Sequence, residues 1–327
     1  MRMASLLFVA AVAAGLCACD GSDKPVGKSD AGRPQAGTAR APAAVATPEQ
    51  VAQEMRGGVD CKASPPAPTL DATAPVDDVV GVVPGARYDD AAKRVMCTNP
   101  LVVLEPDSRA QFVIEPHGAK YRFGFAARFA QARAPLTQAE QMEKMRAESS
   151  AQQSFSRVRD VLPGQAKWHV AAMGMPGDEQ VLSVYREEWF ELERQPPVAA
   201  VADLLIAKYG PPTTRSQLGS DLRLVWAYDT LGRRITETSP LYRQCELHAV
   251  LNARLTVSPD CGATVAASIE PLSSNAGVAE HLRVRSLNQA FAYERIKATE
   301  LAFQQQGAAQ RAEEVKEASK NAKGPTL

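Results

Sequence analysis

The stretch from residue 195 to residue 232 narrows the possible folds more than any other part of the chain. Pro196-Pro197 opens it, Gly210 interrupts it, and Pro211-Pro212 bars helical continuation. Proline suits the first turn of a helix, where its missing N–H costs nothing, and glycine accepts the backbone that ends one. Between them Val198, Val201, Leu204, Leu205 and Tyr209 recur at helical spacing, which predicts a helix over 196–210 with those five residues on its buried face. Residues 222–228 then alternate Leu222, Leu224, Trp226 and Tyr228 with Arg223, Val225 and Ala227, the period of a strand with one buried face. Asp229-Thr230-Leu231-Gly232 turns the chain into a second expected strand, 233–238. A helix followed by a hairpin must lay its apolar stripe on the sheet, so the unit is a two-layer α+β element.

The same plan occurs earlier, over 88–129. A helical stretch over 88–96 meets the stop Cys97-Thr98-Asn99-Pro100, and strands are expected over 101–105, 111–115 and 121–129. In the last of these, Tyr121, Phe123, Phe125 and Phe129 share one face. Thr137-Gln138-Ala139-Glu140 matches a capping box, predicting a long helix to about residue 160. Strands follow over 167–173 and 180–190, joined by Gly174-Met175-Pro176-Gly177, and two more over 264–270 and 281–285 close a second sheet. A helix over 287–322 docks its first half through Phe291, Ile296, Leu301 and Phe303, while 310–323 has almost nothing to bury. The expected fold class is α+β, with two tandem helix-on-antiparallel-sheet units (76–163 and 164–286) and a C-terminal helix and tail (287–327).

The N-terminus carries an address. Arg2 precedes an apolar run over 4–16, well short of the roughly 20 residues a membrane span needs, and a small residue, Ala18, comes before Cys19. This reads as a secretory signal over 1–18, and Leu16-Cys17-Ala18-Cys19 resembles the lipobox of bacterial lipoproteins. The resemblance implies lipidation of Cys19; Cys17, preceded by the bulky Leu16, is the poorer candidate. Asp20 resembles the inner-membrane retention signal of enteric bacteria, a rule that fails elsewhere, so the choice between inner and outer membrane stays open. Residues 19–75 form an anchored tether, whose Ala/Gly/Pro/Ser-rich part (20–47) reaches about 30 Å as a flexible coil. A short helix over 48–56, capped by Thr47 with Val51 and Met55 on one face, interrupts it before the proline-rich 64–75.

Export to an oxidising compartment makes Cys61, Cys97, Cys245 and Cys261 two disulfides. Of the three possible pairings, proximity favours Cys61 with Cys97 and Cys245 with Cys261. Zinc is the competing use, but the cysteines have no CxxC spacing and no paired histidine, so no metal is expected.

Gly81-Val82-Val83-Pro84-Gly85-Ala86-Arg87-Tyr88-Asp89-Asp90-Ala91 resembles the opening of the SmpA/OmlA (BamE-like) family of small envelope lipoproteins. Lys208-Tyr209-Gly210-Pro211-Pro212 and Trp226-Ala227-Tyr228-Asp229 look like the helix end and hairpin of that module. Ala86 and Arg87 replace the family's methionine and serine or threonine, and Cys97-Thr98-Asn99-Pro100 replaces its glycine stop. Tandem modules with disulfides are also similar to the beta-lactamase inhibitor protein fold. The resemblance implies a binding or assembly role without catalysis, an analogy of fold.

Lysine plus arginine (37) balance aspartate plus glutamate (37), so no basic surplus exists to neutralise phosphates, and nucleic acid is not an expected partner. The four histidines, His117, His169, His248 and His281, fall in no metal-spaced group, and no P-loop, G-x-G-x-x-G or G-x-S-x-G occurs. Cys97 with His117 as a nucleophile pair needs a free thiol, which a bridge removes. Glu187 and Glu188 are neighbours on an expected strand and so point to opposite faces, unable to flank one glycosidic bond. No catalytic residue and no cofactor is expected. The expected function is that of a lipid-anchored periplasmic protein, held on the membrane by its N-terminal lipid, which binds an envelope protein through an exposed sheet edge or an aromatic face. The alternatives are an envelope hydrolase acting on peptidoglycan or peptides, and an inhibitor of a periplasmic enzyme.

Overall fold

The computed structural model describes residues 45–63, 74–107, 111–112, 114–118, 120–133, 142, 146, 161–251, 255–322 and 324. The expected lipidation site Cys19 lies outside them, as does the helix expected over 137–160 apart from Met142 and Arg146, which are helical. In chain order the elements are α1 (Pro48–Arg56), α2 (Tyr88–Met96), β1 (Val102–Pro106), β2 (Gly124–Phe129), β3 (Ala166–Met173), β4 (Gln180–Trp189), α3 (Val198–Tyr209), β5 (Thr214–Leu218), β6 (Asp221–Asp229), β7 (Cys261–Leu272), β8 (Asn275–Asn288) and α4 (Gln289–Asn321). The fold is α+β. All eight strands form one antiparallel sheet in the order β1-β2-β3-β4-β8-β7-β6-β5. Among the described residues 264–270 and 281–285 close no second sheet; those stretches are the middles of β7 and β8, which pair side by side within the single sheet. The strands on either side of the 163/164 boundary, β2 and β3, are hydrogen-bonded neighbours.

Strand alternation divides the core in two. Trp168, Val170, Val184, Leu224, Trp226, Val265, Ala267, Ile269, Leu282 and Val284 point to one face, where Ala91, Ala92 and Val95 of α2 and Val201, Ala202, Leu205 and Tyr209 of α3 pack on them. Ala171, Met173, Val225, Ala266 and Leu287 point to the other face and meet Ala292 and Phe303 of α4 together with Phe112, Ile114, Leu247 and Ala249. Trp226 is fully buried, and its Nε1–H donates to the Gly210 carbonyl at 2.7 Å, locking the end of α3 to β6. On α3 the buried face is Val201, Ala202, Leu205 and Tyr209, whereas Leu204, expected inside, is 72% exposed. The buried stripe is rotated by part of a turn toward the small Ala202, which is fully buried.

Three further expectations are corrected. The described residues of 111–115 are bends and irregular backbone rather than a strand, with Phe112 and Ile114 used as plugs against the second face. The stretch 121–129 is not one continuous face. Gly124 sits at φ 149°, where a Cβ would strike the Val170 carbonyl, and the chain changes face there: Phe125 and Phe129 join the α2/α3 side while Tyr121 packs on Phe303. Residues 233–238 add no strand, only a bridge between Tyr228 and Arg234; the partner of β6 on that side is the unforeseen β5, reached through the Gly219-Ser220 turn.

The N-terminal helix is fastened to the body. Thr47 and Gln50 form a reciprocal capping box at the start of α1, whose Val51 and Ala52 pack on Val103 and Ala130, leaving Met55 exposed. Arg56 Nη1 donates to the carbonyls of Met96, Asn99 and Val102 at 2.8, 2.9 and 2.9 Å, satisfying backbone acceptors at the end of α2 and in the turn beyond it. Cys61 and Cys97 are joined beside this contact, and Cys245 and Cys261 beneath Ile235 and Tyr242, which is the nearest-neighbour pairing.

Candidate functional site

Two parts of the sheet offer more than packing. The first is its β5 end. This strand, Thr-Arg-Ser-Gln-Leu, has four of five residues exposed and pairs with β6 along one side only. The Val225 carbonyl faces β5, where it accepts from the Thr213 N–H at 2.7 Å, so in the register of the pair Thr214, Ser216 and Leu218 turn their backbone groups to β6. The backbone groups of Arg215 and Gln217 then point outward, and the Leu218 side chain is 65% exposed. Such an edge is a template for another extended chain.

The second part is a polar band across the face opposite α2 and α3. Register aligns it in rows. Lys167, Glu187, Arg283, Ser268 and Arg223 lie side by side on β3, β4, β8, β7 and β6, and the next row holds His169, Tyr185, Arg285, Ala266 and Val225. Beyond that come Ala171, Ser183, Leu287, Thr264 and Ala227. Charges buried in this way need partners. Arg283 Nη2 bonds Asp221 and reaches Ser268 at 3.3 Å and Glu270 at 3.5 Å, while Ser268 Oγ donates to Asp221 at 3.0 Å. His281 lies between Glu187 (3.7 Å) and Glu270 (3.5 Å) and stacks on Trp189 with ring centroids 4.0 Å apart. Tyr185 donates to Glu187 at 3.3 Å, and burial pushes its phenol well above its ordinary range.

His169 holds Asp107 through Nδ1 at 3.1 Å, both side chains being nearly inaccessible. Its Nε2 makes no hydrogen bond, nor does the buried hydroxyl of Ser183 nearby. A hydroxyl, an imidazole and a carboxylate are the parts of a nucleophile relay, but the Ser183 Oγ and His169 Nε2 do not bond each other, so the relay is not closed. Arg285 is fully buried and its Nε, Nη1 and Nη2 have no hydrogen-bond partner. Its Cζ lies 5.3 Å from the Tyr185 ring centroid, and desolvation pushes the guanidinium down to about 10, which leaves it charged at neutral pH.

The residues singled out in the sequence are scattered. Glu187 joins the polar band, whereas Glu188 points to the other face and pairs with Arg186 at 2.7 Å. Cys97 is bridged to Cys61. His117 and His248 lie apart from His169 and His281, in a turn and beside Arg223 respectively. No group of three or more metal-ligating side chains is present among the described residues. The members of this polar band that pattern reading missed include Asp107, Ser183, Tyr185, Arg283 and Arg285. The available signal was the alternation of His281, Arg283 and Arg285 with Leu282 and Val284, which places three ionisable groups on one face of a strand.

Compared with protein-family models, curated proteins and solved structures, the chain matches none of them.

Proposed function

We propose that this protein is a lipid-anchored, periplasmic component of the bacterial cell envelope, held by an acyl-modified Cys19, that binds an extended segment of another envelope protein along β5. The observation that carries the reading is the outward-facing edge of β5, polar enough to stay soluble and long enough to pair with about five residues of a partner. The reading keeps two tandem units but moves their boundary from 163/164 to the link between β4 and α3, giving α2 with β1 to β4 and α3 with β5 to β8, joined where β4 pairs with β8. In favour of that division, the residue immediately before each helix bridges to a late strand of its own unit, Arg87 to Gln180 and Pro197 to Val278. Under this division β5 is the first strand of the second unit, left uncovered at the end of the sheet. The role is assembly or inhibition rather than turnover, in keeping with the BamE-like resemblance of 81–91.

The test uses a backbone change that spares the fold. Proline at Gln217 removes an outward N–H without touching the bonds to β6. Full-length protein solubilised from membranes should recover a stoichiometric partner, and Gln217→Pro should lose it while melting at the same temperature. Recovery that is unaffected by Gln217→Pro, or repeated recovery of no partner, would overturn the reading.

A further inference from the structure

We propose that Arg285, Ser183 and His169 form a buried binding site for one small oxyanion, a carboxylate or a tetrahedral phosphate or sulfate, on the face of the sheet opposite α2 and α3. Three side chains with unpartnered polar atoms lie around one aromatic ring there. The Arg285 guanidinium stands 5.3 Å from the centre of Tyr185, and the His169 ring is centred 6.1 Å from it on the neighbouring strand. Ser183 precedes Tyr185 by two residues on β4, in the row next to Arg285. The Tyr185 hydroxyl is turned toward Glu187, on the side away from Ser183. Each of the three buries hydrogen-bonding atoms that meet nothing: all three guanidinium nitrogens, the Ser183 Oγ and the His169 Nε2.

Arg283, the neighbouring arginine of β8, shows what a satisfied buried guanidinium looks like here, with Asp221, Ser268 and Glu270 around it. The strand-mates of Arg285 are Tyr185 and Ala266, and neither carries a charge that could pair with it at neutral pH. A buried guanidinium with no counter-charge is costly, and its planar fork is shaped to take two oxygens of one anion. A hydroxyl can donate a third bond. With both ring nitrogens carrying a proton, His169 would donate the fourth from Nε2 while its Nδ1 stays on Asp107.

Thermal unfolding of the full-length protein in detergent, at constant ionic strength in chloride, would be followed against added acetate, sulfate and phosphate. The site predicts a saturable rise of about 4 °C or more with at least one of them at a hundred times its apparent Kd. Acetate alone acting would identify a carboxylate site; sulfate or phosphate acting would identify a tetrahedral one. Arg285→Met should abolish the rise and, in chloride alone, unfold no lower than the parent, whereas the exposed control Arg215→Met should keep the rise in full. Should Arg285→Met not fold, Ser183→Ala provides the second reading, with an apparent Kd weakened about tenfold for one lost hydrogen bond. No saturable rise with any anion, or the same rise in parent, Arg285→Met and Ser183→Ala, would overturn the proposal.

Discussion

Removing a negative charge at Asp77 should stabilise this protein, and only above mildly acidic pH. Asp77 is buried at the entrance to the turn that receives the end of α3. There Asp78 accepts from Gly81 N–H at 2.7 Å and from Lys208 at 2.8 Å, and its carbonyl accepts from the Tyr209 hydroxyl at 2.8 Å. Burial, reinforced by the charge of Asp78, pushes the Asp77 carboxyl up from 3.8 to about 6. The native state therefore keeps a proton that the unfolded chain releases. Its contribution to stability is full below about pH 4, declines as pH rises through the window up to about 6, and is gone above it. The gap between the two values corresponds to roughly 3 kcal/mol. Asparagine keeps the shape and cannot ionise, so Asp77→Asn should match the parent near pH 3.5 and exceed it by up to roughly 3 kcal/mol at pH 7.5. Urea unfolding of both proteins across that range, with disulfides intact, measures the difference directly. A difference that does not change with pH, or a variant less stable at pH 7.5, would refute the reasoning.

Val80 and Gly81 both have positive φ, 51° and 76°, in a tight turn closed by two Val79–Val82 backbone hydrogen bonds, a geometry that favours Asn-Gly. Val80→Asn should stabilise the fold by about 1 kcal/mol, read as a higher urea midpoint at unchanged slope, and a lower midpoint would contradict the strain argument. Removing the Cys245–Cys261 bridge, which spans 16 residues, should cost about 3 kcal/mol. Removing Cys61–Cys97, which spans 36, should cost about 4 kcal/mol, both read by equilibrium unfolding of the paired alanine variants.

Where local chemistry and burial agreed, the sequence was easy to read. The α3 boundaries follow from Pro196-Pro197 and Gly210, and β6 from the alternation around Trp226, because there each apolar residue is also a core residue. Legibility failed where burial and polarity part company. The strand β8 runs 14 residues, but His281, Arg283 and Arg285 put charge on a buried face and disguise its length. By contrast, β5 lies at an edge with nothing to bury, so Thr-Arg-Ser-Gln-Leu has no pattern to betray it. The polar band was invisible for a related reason: its partners sit on five strands, and only register brings Asp107 to His169 or Asp221 to Arg283. The face change at Gly124 likewise depends on the closeness of Val170 on a neighbouring strand.

The account rests most heavily on export and acylation of Cys19, which would place the body where its four other cysteines oxidise. Intact mass of the protein extracted from membranes, recorded with and without reduction, tests this in one step. The account predicts a chain beginning at Cys19, heavier than its sequence by the acyl groups, and a gain of four hydrogens on reduction. A water-soluble chain beginning at Met1 with no mass change on reduction would contradict it.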